Sequence, residues 1–398
     1  MKKIKLTCAH AIVKYLIAQK ILIDGKKQPL FAGAFGIFGH GNVACLGQAL
    51  EENKDKLPTY RGHHEQNMAL TGIAYARAKR RKQIFVATSS VGPGSTNMVT
   101  AAAVAMSNRI PILFLPGDTY ANRMPDPVLQ QVEHFNNPGI TQNDAFKPVT
   151  KYFDRLTRPE QILQTLPQAI QTMLDPADSG PACISMSQDV QGEVFEYPEE
   201  FFKETIHNIR RPRPDDFQIK QAAEKIKLSN NPIIISGGGV FYSDAMEDVA
   251  NFAEKHNIPV TQTVMGYSTM KRDHSHFLGP IGGLGGKAAN NFAKQTDLAI
   301  AVGTKLGDFT TGSRTLFNSE ATLLSINVCA YDSIKHRALS LVGDAKLTLK
   351  TLMNHCTSIK TSNDWQQRVY KLRKEWLIAV NEATRDKGSW HFDSETTR

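Results

Sequence analysis

Cysteine is scarce and unpaired in this chain: Cys8, Cys45, Cys183, Cys329 and Cys356 stand singly among 398 residues, with no Cys-x-x-Cys anywhere. That pattern excludes a disulfide framework or a zinc site of the paired-cysteine kind, and it suits a reducing compartment. Long apolar runs are lacking as well. The start, Met1-Lys2-Lys3-Ile4-Lys5-Leu6, has neither an apolar core nor a cleavage-type segment, and no stretch approaches the length of a membrane span. A cytoplasmic protein with no membrane partner is expected. Repeats and low-complexity tracts are absent too. The formal net charge of +9 raises the question of a nucleic-acid partner. The cations are dispersed, however, and the densest group, Arg77, Lys79, Arg80, Arg81 and Lys82, has no interleaved aromatics. It falls at the end of a helical pattern, where cations complement the dipole, so no nucleic-acid role is expected.

What is present is alternation. Apolar runs at 30–38, 83–88, 110–115 and 182–187 alternate with helical patterns at 42–52, 66–79 and 96–107. This predicts parallel strands covered by helices. The alternation resumes at 232–236, 259–263, 298–302 and 323–328. Between the two sets, Arg210-Arg211-Pro212-Arg213-Pro214 reads as a linker, because proline neither continues a helix nor donates to a sheet. The predicted fold class is α/β with two doubly wound parallel-sheet domains. The first covers 1–205, a linker 206–214, the second 215–360, and a helical tail 361–398 carries Trp365, Val369, Leu372, Trp376 and Val380 at helical spacing.

The most informative segment is Arg61-Gly62-His63-His64-Glu65-Gln66-Asn67-Met68-Ala69. Met68, Ala69, Gly72, Ile73 and Ala76 follow Glu65 at three- and four-residue spacing, which predicts a helix with a tightly packing face. A carboxyl at the mouth of that helix either favours the N-terminal dipole or works as an acid at a packed interface. Two neighbouring loops, Phe38-Gly39-His40-Gly41-Asn42 and Thr88-Ser89-Ser90-Val91-Gly92-Pro93-Gly94, each join a predicted strand to a predicted helix, and the second could cradle an anion on free backbone amides. His40, His63 and His64 cluster near this chemistry, as proton carriers or as surface and packing histidines. Two glycine clusters in the second half, Gly237-Gly238-Gly239 and Gly282-Gly283-Leu284-Gly285-Gly286, match a dinucleotide fingerprint poorly and read as turns.

These segments, with Asn97-Met98-Val99-Thr100-Ala101-Ala102-Ala103, Pro125-Asp126-Pro127-Val128-Leu129-Gln130-Gln131, Asn143-Asp144-Ala145-Phe146-Lys147-Pro148-Val149 and Ser187-Gln188-Asp189-Val190, resemble the pyrimidine-binding domain of thiamine diphosphate enzymes. The likeness is strongest to the trihydroxycyclohexane-dione acylhydrolases of inositol breakdown. It implies thiamine diphosphate as cofactor, with Glu65 bonding the aminopyrimidine, and with Asn42, Gly92, Gly94 and Asn97 also at the cofactor. It further implies His40 in catalysis, a small cyclic dione as substrate, 5-deoxyglucuronate as product, and a homo-oligomer. The segment His63-His64 departs from the Arg-Asn pair that the resembled enzymes carry before the glutamate.

The same likeness implies that the diphosphate and its Mg2+ are held by a C-terminal third domain through a Gly-Asp-Gly segment. This chain has none; Gly117-Asp118-Thr119, Gly307-Asp308-Phe309 and Gly343-Asp344-Ala345 read as strand-end turns. No metal ligand is therefore assigned within the chain, and the tail is expected to begin the missing domain. Three readings stand: the ring-opening hydrolase complemented by a separately encoded C-terminal half, another thiamine diphosphate carboligase of the acetolactate synthase kind, and a catalytically silent chain or scaffold. For the isolated chain the third is expected.

Overall fold

A computed structural model describes residues 2–125, 127–132, 134–356 and 361–385. Asp126 of the Pro-Asp-Pro segment and residues 386–398 of the predicted tail lie outside the described residues. The chain divides into two compact units, Met1–Arg210 and Arg211–Arg398.

The first unit is built on a parallel sheet with strands β1 (Phe31–Gly36), β2 (Thr59–Arg61), β3 (Ile84–Thr88), β4 (Leu113–Phe114), β5 (Gly117–Asp118), β6 (Tyr152–Leu156) and β7 (Ala182–Ser187). Their order is β2-β1-β3-β4-β7-β5, with β6 also paired to β7. Strands β4 and β5 are two halves of one line broken at Leu115-Pro116, since both pair in parallel with β7, at Ala182–Cys183 and at Met186–Ser187. Strands β3 and β7 are buried at every residue, which is why they read as continuous apolar runs rather than alternating ones. Helix α1 (Glu65–Ala78) lays Met68, Ala69, Gly72, Ile73 and Ala76 against the sheet, the face that the spacing predicts. A Cβ on Gly72 would meet Phe85 Cβ at 3.1 Å and Ile112 Cδ1 at 3.3 Å, so a larger residue there would push these neighbours back by a few tenths of an ångström.

The linker predicted over 206–214 is folded on both sides. Thr205–His207 pairs in parallel with Gln19–Ile21, so the first unit extends past residue 205. Arg211 belongs to the second unit, where Nη1 donates to Asp344 at 2.9 Å and to the Ser243 carbonyl at 2.7 Å. Carboxylate partners for the basic stretch, invisible as distant sequence, turn a composition typical of linkers into structure.

The second unit has a six-stranded parallel sheet: β8 (Pro232–Ser236), β9 (Val260–Gln262), β10 (Phe277–Pro280), β11 (Leu298–Val302), β12 (Thr322–Asn327) and β13 (Leu339–Val342). The order β10-β9-β8-β11-β12-β13 reverses direction between β8 and β11, the doubly wound arrangement. At that reversal the glycines meet each other. A Cβ on Gly237 would sit 2.4 Å from the Gly303 carbonyl oxygen, and one on Gly239 would sit 2.6 Å from Gly303 Cα. These glycines let two segments touch, and Gly238 and Gly239 begin a short helix, Gly238–Tyr242, rather than the expected turn. The tail, expected to begin a third domain, instead completes the second: in helix Asn363–Ala383, Trp365 is fully buried, edges the Phe292 ring and donates Nε1 to the Pro232 carbonyl at 3.1 Å. A large indole with its one donor satisfied is a strong reason for the helix to dock.

One histidine of this core makes its stability depend on acid. His256 is 1% exposed, lies edge-on to Phe252, and its Nε2 has no hydrogen-bond partner among the described residues. Burial, with Lys255 beside it, pushes its pKa from 6.5 down to about 4. Below about pH 6.5 the unfolded chain takes a proton that the folded unit refuses. Stability is therefore full above that pH and falls toward pH 4 by roughly 1.4 kcal/mol per unit, on the order of 3 kcal/mol altogether. Urea titrations at pH 7 and pH 4.5 should show the loss in the wild type, and His256→Phe should shed most of it.

Candidate active site

Strands β2, β1 and β3 are neighbours, and the segments leaving their carboxyl ends meet at one edge of the sheet, where ligands of α/β proteins bind. Glu65 opens α1 there. His64 caps the helix, its Nδ1 accepting from the Asn67 amide at 3.3 Å, so a histidine before the glutamate serves the helix start. Glu65 itself is half-buried. Asn97 Nδ2 donates to its Oε2 at 2.8 Å. The other oxygen, Oε1, faces Gly94: a Cβ built on that glycine would stand 3.4 Å from Oε1 and 2.5 Å from Ser90 Oγ. Glycine at 94 thus keeps open the space between a carboxyl oxygen and a hydroxyl.

That space belongs to a cavity of about 580 Å³ lined by Glu65, Ser90, Pro93, Gly94, Thr96, Asn97 and Gln130. Glu65, distant in sequence from Gly94 and Asn97, lines the same cavity as they do. Gly92 stands just behind, with φ +75°, and a Cβ there would fall 1.8 Å from the Gln130 carbonyl oxygen. Both facts require glycine.

His40 and Asn42 are not among the lining residues. Asn42 is buried and its amide is spent on the loop itself: Oδ1 accepts from the Gly39 amide at 3.0 Å, and Nδ2 donates to the Ile37 carbonyl and to Thr88 Oγ1, each at 3.1 Å. It staples the β1 loop to β3, and no donor is left for a cofactor. His40 is exposed, and the loop uses its carbonyl, which accepts from the Val91 amide at 2.9 Å. His63 is also exposed and outside the lining.

Ser90, Thr96 and Gln130 also line the cavity, and none of them stands out individually in the sequence. Gln130 sits in a turn closed by the Gln131 amide on the Val128 carbonyl at 3.0 Å, at the position that takes positive φ. Its φ is +68°, a value for which glycine or asparagine is the usual choice. Glutamine at such a place is a signal only once the turn is known.

Beneath the cavity lies a polar network. Asp118, fully buried, accepts from Arg155 Nε at 2.9 Å, from Thr141 Oγ1 at 3.1 Å, from the Thr119 amide at 2.8 Å and from Ser185 Oγ. Arg155 Nη2 donates to Asp144 at 2.9 Å. Burial works against ionisation of Asp144, but Lys147, the Thr141 amide and Arg155 together hold its carboxyl below the ordinary range. Asn143 joins this network to the site, bonding Ser185 Oγ at 2.7 Å and, through Oδ1, the hydroxyl of Ser95 in the short helix α2 (Pro93–Thr96). Gly117-Asp118, expected as a strand-end turn, is strand β5 itself, and its aspartate is a structural hub. The other two Gly-Asp pairs differ: Asp308 is exposed in the first turn of a four-residue helix, and Asp344 caps a helix by accepting from the Leu347 amide.

Among the described residues, no group of three His, Cys, Asp or Glu is placed to hold a metal ion, and no helix is long and apolar enough to cross a membrane.

Two family models match the chain: the thiamine pyrophosphate enzyme N-terminal TPP binding domain over residues 18–137, and the thiamine pyrophosphate enzyme central domain over residues 219–352. Among curated proteins, the chain is 48% identical over 382 residues to a 3D-(3,5/4)-trihydroxycyclohexane-1,2-dione hydrolase of Clostridium tetani, covering 96% of this chain and 59% of that protein. It is 44% identical to the enzyme of that name in Shouchella clausii, over 96% of this chain and 60% of that protein. For Geobacillus thermodenitrificans the identity is 49%, over 88% of this chain and 55% of the relative. The chain thus spans about three-fifths of the length of the curated relatives it matches. With a TPP-binding domain and a central domain in the family's order, and a carboxyl set at the sheet edge of the first, this chain belongs to the thiamine pyrophosphate enzymes.

Proposed function

We propose that this chain takes part in the thiamine diphosphate-dependent, ring-opening hydrolysis of 3D-(3,5/4)-trihydroxycyclohexane-1,2-dione to 5-deoxyglucuronate, in the cytoplasm. Identity of 44–49% to hydrolases of that name, sustained along nearly the whole chain, carries the reading. The cavity fits the cofactor's pyrimidine end. Gly94 leaves room that a side chain would fill, and a carboxyl oxygen points at that room. When bound, thiamine diphosphate supplies the carbanion chemistry. Glu65 would hold the ring nitrogen through Oε1 and share a proton with it. Ser90, Thr96 and Gln130 present hydroxyl and amide groups suited to a polyhydroxylated substrate. The described residues offer no cluster for Mg2+. The ion and the diphosphate are assigned to sequence matching the remaining two-fifths of the relatives, in this gene product or in a separate polypeptide, within an oligomer.

Native isolation from the producing cells, followed by mass spectrometry of the intact complex, tests this directly. Thiamine diphosphate and a Gly-Asp-Gly-bearing segment should be found with the chain, and the complex should consume the dione. A pure complex of this chain without cofactor or turnover would favour the silent scaffold instead.

A further inference from the structure

Glu65 has two oxygens in different surroundings, and Asn97 makes the difference. The amide of Asn97 occupies Oε2 at 2.8 Å, while Oε1 faces Gly94 and the cavity. An ionised carboxylate only accepts, so Asn97 must present its NH2 and not its carbonyl to Oε2. The donor is itself held in place. Asn97 ends α2, its own amide bonded to the Pro93 carbonyl at 3.1 Å, and α2 is tied through Ser95 and Asn143 to the buried Asp118–Arg155 network. Gly94, next but two along the same turn, shapes the space that Oε1 faces. One short helix thus fixes one oxygen of the acid and opens the approach to the other.

We infer that Asn97 is a positioning residue: by engaging Oε2 it confines proton exchange with the bound cofactor to Oε1, and it acts on the reaction only through Glu65. This rests on the reading of the site as a thiamine diphosphate site. Without the amide, the carboxyl can rotate about its last bond and either oxygen can take the proton.

The discriminating experiment is a double-mutant cycle on the native complex, with Asn97→Ala, Glu65→Gln and the pair. Asn97→Ala should lower kcat/KM by about tenfold or more, the range for losing a hydrogen bond to a charged group. It should also change the near-ultraviolet dichroism of the bound cofactor so long as Glu65 is present, which a merely structural loss would do with or without Glu65. In the Glu65→Gln background the same change should alter neither kcat/KM nor the near-ultraviolet dichroism of the bound cofactor. Asn97→Ser, which keeps a hydroxyl donor, should recover part of the loss. Additive losses in the double variant, or no recovery in Asn97→Ser, would overturn the inference and leave the site reading intact. Full activity and unchanged dichroism in Glu65→Gln alone would overturn the site reading itself. Thermal unfolding of each variant separates these outcomes from misfolding.

Discussion

Glu65→Gln is expected to reduce kcat/KM of the native complex at least a hundredfold, the scale of losing a positioned acid–base group, while leaving the first unit folded. The substitution keeps the side chain's length and an oxygen for the Asn97 amide, so the 2.8 Å contact survives in form. What it removes is the capacity to share a proton with a ring nitrogen. The structural cost should be small: an acid in the first turn of a helix gains only about 0.3–1 kcal/mol from the dipole. Activity and stability therefore part company in this variant, and that separation distinguishes a chemical glutamate from a capping one. Steady-state kinetics beside urea unfolding would read it. Turnover within threefold of wild type would show that Glu65 serves the helix rather than the cofactor.

How much of this was legible beforehand depended on the range of the interaction. The strands that sequence locates best, 232–236 and 298–302, are all-buried apolar runs whose composition leaves little alternative. The face of α1 was legible because its contacts lie on one local helix. Glu65 and Asn97 stand out as members of motifs. Their contact does not, because 32 residues separate them and the sheet order alone brings them together. Asn42 shows the converse limit: a polar residue in a glycine-rich loop resembles a cofactor ligand until its partners at Ile37, Gly39 and Thr88 are known. The arginine–proline stretch reads as a linker for the same reason, since Arg211 meets Asp344 across 133 residues of sequence.

Arg155→Met should be the most destabilising single change in the first unit, by about 3–5 kcal/mol, because it strands a buried charge. Asp118 is 0% exposed and depends on the guanidinium at 2.9 Å for its counter-charge; hydroxyls and one amide remain, but none carries charge. Asp144 loses the same partner, although Lys147 stays with it at 2.9 Å. If the cost arises from the stranded carboxylate rather than from lost packing, Asp118→Leu combined with Arg155→Met should be less destabilised than Arg155→Met alone. Chemical denaturation of both variants decides this, and a double variant weaker than the single would show that shape, not charge, governs the cluster. The network is joined to α2 by two hydrogen bonds, from Asn143 to Ser185 and from Ser95 to Asn143. Loosening it should therefore weaken cofactor binding at denaturant concentrations well below those that unfold the unit, since the residues that shape the cavity are held by the same buried ion pair that holds the sheet edge.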